Sequence, residues 1–318
     1  MNVLIYGSGA IGCHIAHLLN ISNVNLYLFI RKKRIRFLKS NGFNLIIKDN
    51  TKIITKTKIL ESNNIHFISE LSELKNIKFD YIFITIKLIN NTDLIYKKIK
   101  KLLSIKTSIV MPCTILPSWW LNKYSRKNIK QIIPIKKIIG MTMWVSGIMQ
   151  NNNVVIKHTQ RGYPLKEISN KNKSNADILR KMIRKKSKSP LVKNIYSEIY
   201  LKVINSFAFN LIAIKYNQSN NMLIKNQNAI NEIKLIMYEF DKLVSYMGLP
   251  ILQSVNSRVN QTLSSKKHTM SMLTDLRNGK KIEIKNQWLS LMQIDKAIKT
   301  NVALSENFYK STIKLIGK

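Results

Sequence analysis

Residues 2–20 read NVLIYGSGAIGCHIAHLLN. The first five, NVLIY, form an almost continuous apolar run, as in a parallel strand buried on both faces. Gly7-Ser8-Gly9-Ala10-Ile11-Gly12 follows at once, and CHIAHLLN after it carries a helical pattern of apolar residues. Strand, G-x-G-x-x-G and helix in immediate succession form the context that a dinucleotide-binding turn needs. Gly7 permits the tight turn, Gly9 lets the main chain approach a pyrophosphate, and Gly12 lets the helix pack on the strand. The free N–H groups and the dipole at the helix N-terminus favour such an anion. His14 and His17 lie three apart on this helix, but no further His, Cys or carboxylate cluster supports a metal, so both read as helix packing residues.

Outward from this turn the pattern stays α/β. A second strand, Asn25 to Ile30, runs into Arg31-Lys32-Lys33-Arg34. An enzyme that prefers NAD usually places an acid there for the ribose 2′-hydroxyl, whereas a basic residue suits a 2′-phosphate. NADP (NADPH) is therefore the expected cofactor, with Arg31 as the contact, although 53 Lys and Arg in the chain dilute that signal. A polar, β-rich stretch covers Phe43 to Phe67. Asp80 to Lys87, DYIFITIK, predicts another buried strand, and its Lys87 falls at the carboxyl end, the edge that faces the ligand crevice of a doubly wound sheet. Ser108 to Cys113 is the next strand; Ile138 to Val145 and Asn153 to His158 flank a turn. Lys166 to Ser189 is lysine-rich, weakly helical and ends at Pro190, which predicts a Rossmann-type NADP-binding domain over residues 1–189.

From Leu191 onward almost only helical pattern remains: Glu198 to Asn220, Asn228 to Met247 stopped by Gly248-Leu249-Pro250, Leu252 to Leu263, and helices from Lys285 to the end. A helical substrate and catalytic domain over 190–318 is expected, with the active site in a cleft between the two domains. In the first of these helices Lys202, Ser206 and Asn210 stand at i, i+4 and i+8, a narrow polar stripe. An ammonium and an amide on an otherwise apolar helix are costly to bury without a purpose or a partner. A Glu198–Lys202 surface pair accounts for the lysine equally well. Further on, Lys267 to Asp275 (KHTMSMLTD) leads to Glu283. With only 16 acidic residues in the chain, Ser271-x-x-x-Asp275 followed eight residues later by Glu283 stands out; helix capping and a surface charge are the alternative.

At 318 residues the chain can bury a core and form two domains. Its two cysteines, Cys13 and Cys113, are far apart and give neither a disulfide framework nor a metal spacing. A cytoplasmic, reducing location is the simplest fit. The N-terminus enters a strand directly, so no signal peptide is expected, and no uninterrupted apolar run reaches the roughly 18 residues of a membrane span. The net charge of +37 raises a nucleic-acid partner. Lys, Asn and Ile are enriched together along the whole chain, as AT-rich codons produce, and the runs Arg31 to Arg36 and Arg180 to Lys188 interleave no aromatic residues for base stacking. Salt-sensitive binding to polyanions is expected, and a specific nucleic-acid role is not.

In order along nearly the whole chain, GSGAIG, Arg31, DYIFITIK, Glu198-x-x-x-Lys202 with Asn210, Asn220, SML-x-D at Ser271 to Asp275, and Glu283 resemble the ketopantoate reductases (2-dehydropantoate 2-reductases). The glycine turn is shared by many oxidoreductases; the helix and the Ser-Asp-Glu block at these spacings are much more specific. The resemblance implies that Lys202 donates the proton and that Asn210, Asn220 and Ser271 bind the keto acid. It implies that Glu283 contacts the cofactor and Lys87 lines the nicotinamide end. The implied reaction is NADPH-dependent reduction of ketopantoate to pantoate, a step of pantothenate and coenzyme A biosynthesis, by a monomer or homodimer with a small-molecule 2-oxo acid as partner. Three places depart from the family pattern. Cys113-Thr114 replaces an Asn-Gly beside the nicotinamide. Ser206 replaces an asparagine that would bind substrate. Asn286-Gln287 replaces an Asn-Gly, which predicts an altered turn. These departures leave open a reductase of another branched 2-oxo acid, or an NADP-binding relative without catalysis.

Overall fold

The structure is a computed structural model that describes residues 1–49, 52–87, 92–124, 131–150, 153–265, 268–298 and 301–317. Lys267, which opens the stretch leading to Ser271, lies outside the described residues. The described residues fall into two compact units: those of Met1–Lys87, Asn91–Cys113 and Gln131–Ile195, and those of Thr114–Lys130 and Tyr196–Lys318.

In the first unit the strands are β1 (Asn2–Tyr6), β2 (Asn25–Phe29), β3 (Phe43–Asp49), β4 (Lys52–Ile59), β5 (Ile65–Ile68), β6 (Tyr81–Ile84), β7 (Ser108–Pro112), β8 (Ile138–Met141), β9 (Trp144–Gln150), β10 (Asn153–Gly162) and β11 (Leu165–Glu167). Seven of them form one sheet in the order β11-β8-β7-β6-β1-β2-β5. Every pairing in it is parallel except β11 with β8. The apolar run that opens the chain is thus a central strand, and Val3, Leu4 and Ile5 are fully buried. The order reverses at β1, which carries the glycine turn at its carboxyl end, the switch point at which open α/β sheets bind ligands. Helices α1 (Ala10–Leu19), α2 (Lys32–Asn41) and α3 (Thr92–Lys100) follow β1, β2 and β6.

A second sheet of four strands, β4-β3-β10-β9, belongs to the same unit. Here the structure corrects the sequence reading of Ile138 to Val145 as one strand. The buried Thr142 gives its N–H to Pro164 O, and the chain then leaves the large sheet, so that β8 and β9 belong to different sheets.

The second unit is helical. It contains α4 (Ser118–Tyr124) and, beyond α5 (Lys173–Arg184) of the first unit, α6 (Ile195–Tyr216), α7 (Asn220–Leu223), α8 (Gln227–Tyr246), α9 (Val255–Leu263), α10 (Ser271–Arg277), α11 (Ile284–Ile298) and α12 (Ala303–Ile316). The long helix expected to run to Asn220 stops at Tyr216, because Asn217 takes a left-handed φ of 50°. Arg277 holds that turn, its guanidinium donating to Asn217 O and Oδ1 at 2.7–3.0 Å. Asn226 caps α8 by accepting from Ala229 N, and Ser254 caps α9 by accepting from Ser257 N.

Val203, Ile204, Phe207, Leu211 and Ile212 place most of the α6 circumference in the core. Phe207 meets Phe240 edge-on and stacks on Trp288, which stacks in turn on Tyr309. Burying a side chain such as Phe207 contributes about 1.5–3 kcal/mol. By length and composition α6 could cross a membrane, but 89% of that window is buried inside the protein, as in a core helix.

Candidate active site

In the first unit the glycine turn is the candidate nucleotide-binding element. Gly7 has φ +125°, a conformation that L side chains rarely adopt. A Cβ on Gly12 would stand 1.8 Å from Gly7 O, so only glycine lets α1 lie this close to the turn. A Cβ on Gly9 would meet nothing within 4 Å. The exposed, open Gly9 is the N-cap of α1 and offers no side-chain cap, and the first turn, with Ala10 and Ile11, carries no acid. Its unsatisfied N–H groups fit a pyrophosphate.

Two residues that the sequence reading did not single out shape this turn. Thr85 lies just beyond β6, and its Oγ1 donates to Gly7 O at 2.7 Å. Arg34, in the first turn of α2, places Nη1 3.4 Å from Ser8 O and 3.0 Å from Met149 Sδ. Its Nη2 is buried with no hydrogen-bond partner among the described residues. Arg31, by contrast, is the exposed N-cap of α2. The sequence held a signal for Arg34, since it closes the same basic run, but nothing local told which arginine turns inward.

Lys87 is exposed and lies beyond the end of β6. The buried Cys113 directs its thiol to Met111 O at 3.2 Å. Burial pushes the Cys113 thiol up to about 12, and burial does the same at Cys13, where the nearby Arg34 only partly offsets it. Neither cysteine is a thiolate near neutral pH. No group of three or more metal-binding side chains occurs among the described residues.

In the second unit the polar stripe of α6 is real. Lys202 is partly exposed as a residue, yet its ammonium is strongly desolvated, which lowers its pKa to about 8. One turn on, the half-buried Ser206 accepts from Asn210 Nδ2 at both its carbonyl (2.7 Å) and its hydroxyl (3.3 Å). Asn210 Oδ1 accepts from Met272 N at 2.9 Å, which ties the first turn of α10 to α6 and brings the exposed Ser271, first residue of α10, beside the stripe.

Asn220 is fully buried and commits its amide nitrogen elsewhere, to Thr262 O (2.8 Å) and Ser265 O (3.2 Å). Its backbone N–H goes to His268 O, so side chain and backbone together stitch the segment that leads toward α10. Glu283 is buried immediately before α11, where a carboxylate suits the helix dipole.

At Asn286-Gln287, where an altered turn was expected, both residues lie in the first turn of α11. Gln287, fully buried, donates from Nε2 to Thr114 O at 2.7 Å and to Ser206 Oγ at 3.1 Å. Thr114 and Ser206 are therefore joined through the amide of Gln287, a relation that no sequence spacing shows. Ser290 Oγ adds a second tie by accepting from Leu116 N at 3.4 Å.

Comparison with known proteins agrees with this geometry. Residues 3–117 match the family described as "Ketopantoate reductase PanE/ApbA", and residues 194–310 match "Ketopantoate reductase PanE/ApbA C terminal". A 2-dehydropantoate 2-reductase from Mesorhizobium japonicum is 23% identical over 300 residues, which is 89% of this chain and 88% of that protein. A 2-dehydropantoate 2-reductase structure from Geobacter metallireducens shares the fold with a TM-score of 0.84 at 16% identity, over 99% of this chain and 100% of that one. So does D-mandelate dehydrogenase in a ternary structure with NADH and anilino(oxo)acetate, with a TM-score of 0.81 at 16% identity over 100% and 98% of the two chains. With both family regions matched in order along the chain, it belongs to the ketopantoate reductase family, pyridine-nucleotide oxidoreductases that act on CH–OH groups.

Proposed function

We propose that the protein reduces the C2 carbonyl of ketopantoate to give pantoate, with NADPH as reductant, in the cytoplasmic synthesis of pantothenate and coenzyme A. The observation that carries this reading is the desolvated Lys202, at a pKa of about 8, on the polar stripe of α6. Bound NADPH would supply the hydride. As the carbonyl oxygen gains charge, the Lys202 ammonium donates a hydrogen bond and then its proton to it, leaving a neutral amine that solvent reprotonates. A pKa near 8 keeps Lys202 charged near neutrality yet makes it a better acid than an ordinary lysine.

Ser206 and Ser271 orient the oxygens of the 2-oxo acid, with Asn210 and Asn220 shaping that surface. On the nucleotide side, Gly7 to Gly12 cradle the pyrophosphate. Arg31 and Arg34 favour the 2′-phosphate, Glu283 contacts the cofactor, and Lys87 and Cys113 border the nicotinamide end.

A second reading, reduction of another 2-oxo acid, is favoured by Ser206 and its bond to Gln287, which alter the substrate side of the stripe. Loss of reduced-nicotinamide absorbance separates the two. Fast loss with ketopantoate and NADPH supports the first reading. Turnover only on other members of a 2-oxo acid panel supports the second. NADPH binding without turnover on any member replaces both with a binding role.

A further inference from the structure

Ser206 Oγ accepts two hydrogen bonds, from Gln287 Nε2 at 3.1 Å and from Asn210 Nδ2 at 3.3 Å. Neither amide can be turned round. Gln287 Nε2 also faces Thr114 O, and Asn210 Nδ2 also faces Ser206 O, carbonyls that can only accept; Asn210 Oδ1 faces the N–H of Met272, which can only donate. A hydroxyl has two lone pairs and one hydrogen. Both lone pairs of Ser206 are taken, and its hydrogen goes to no partner among the described residues. Ser206 is half-buried rather than enclosed, which leaves that hydrogen as the one polar group of the side chain for a ligand to take up. Gln287 meanwhile is fully buried, and its Oε1 has no hydrogen-bond partner among the described residues. An amide kept there despite an unsatisfied oxygen is useful for its nitrogen end.

We propose that Gln287 is a positioning residue that, together with Asn210, fixes the Ser206 hydroxyl as an obligate hydrogen-bond donor to an acceptor oxygen of the 2-oxo acid, one helical turn from Lys202. This deepens the reading of the protein as a 2-oxo acid reductase and rests on it for the identity of the ligand. The site selects a carboxylate or carbonyl oxygen at this point and disfavours a group that could only donate.

The test is a double-mutant cycle with Ser206→Ala and Gln287→Leu, read by steady-state kinetics with ketopantoate and by calorimetric titration with ketopantoate in the presence of NADP. Each single variant is expected to raise KM and Kd for ketopantoate about tenfold, with a smaller change in kcat and none in KM for NADPH. The double variant should be no worse than Ser206→Ala, because Gln287 acts through Ser206. Additive losses, or a Gln287→Leu variant with unchanged KM, would overturn the assignment. If Gln287→Leu does not fold, Gln287→Met, which has a similar length and no donor, takes its place in the same cycle. An inactive wild type that still binds ketopantoate with the same non-additivity would defeat the reductase reading and leave the role of Gln287 standing. Wild-type turnover with additive losses would do the reverse.

Discussion

A Cβ added to Gly12 would stand 1.8 Å from the carbonyl oxygen of Gly7, whereas one added to Gly9, between them, would touch nothing within 4 Å. The two positions should therefore separate folding from ligand binding. Gly12→Ala forces α1 off the turn, and both thermal stability and NADPH binding should fall. Gly9→Ala, at an ordinary φ of −76°, should melt like the wild type and still bind NADPH at least about tenfold more weakly, since the methyl occupies the phosphate approach. Melting curves with and without NADPH check both.

Lys202→Ala should lower turnover by about 10²–10⁴-fold while NADPH binding is retained. Because the ammonium is the acid, kcat/KM for reduction should decline as pH rises through about 8, and the reverse oxidation should rise over the same range. The stability effect has a definite sign. A folded-state pKa near 8, below the ordinary 10.5, means that burial penalises the charged lysine. The penalty is in full force below about pH 8 and is relieved between about 8 and 10.5. Lys202→Met should accordingly be more stable than the wild type at neutral pH, with the difference shrinking as pH rises through that window; urea titrations at several pH values measure this.

Arg34 reaches the glycine turn and Arg31 does not. Arg34→Met should weaken NADPH binding about tenfold and erode preference over NADH, the scale of a hydrogen bond to a charged group. Arg31→Met should do less. Paired Kd measurements for the two nucleotides decide the order, and a larger effect at Arg31 would return the 2′-phosphate contact to the strand end.

Arg258 is buried and pairs with Asp241, whose carboxyl burial holds above the ordinary carboxylate range despite that partner. Either Arg258→Met or Asp241→Leu alone strands one charge and should cost about 3–5 kcal/mol. The double variant should cost less than the sum of the two, and chemical denaturation gives all three values.

What could be read in the sequence was what is encoded locally. NVLIY and the glycines that follow it define a strand and a turn by themselves, and Lys202, Ser206 and Asn210 declare one face of a helix by spacing alone. The rest depends on distant partners. The break between β8 and β9 follows a bond from Thr142 to Pro164. The end of α6 is held by Arg277, sixty residues beyond Asn217; the asparagine itself, tolerant of left-handed φ, was the one local hint. Gln287 carried no recognisable spacing to Ser206, because the two meet only when α11 packs beside α6.

The described residues of Thr114–Lys130 lie in the amino-terminal half of the sequence but fold with the helical unit. Trp119 and Trp120 are buried there, Trp120 donating its indole N–H to Tyr196 O and Trp119 meeting the Tyr196 ring. A fragment ending at Pro190 would keep both indoles and lose what covers them. The protein is thus poorly suited to dissection by a single cut: the amino-terminal piece should self-associate through its bared tryptophans, and the helical piece should lack a wall. An insertion or gene fusion that respects the fold has to honour the crossings of the chain near residues 113, 130 and 195.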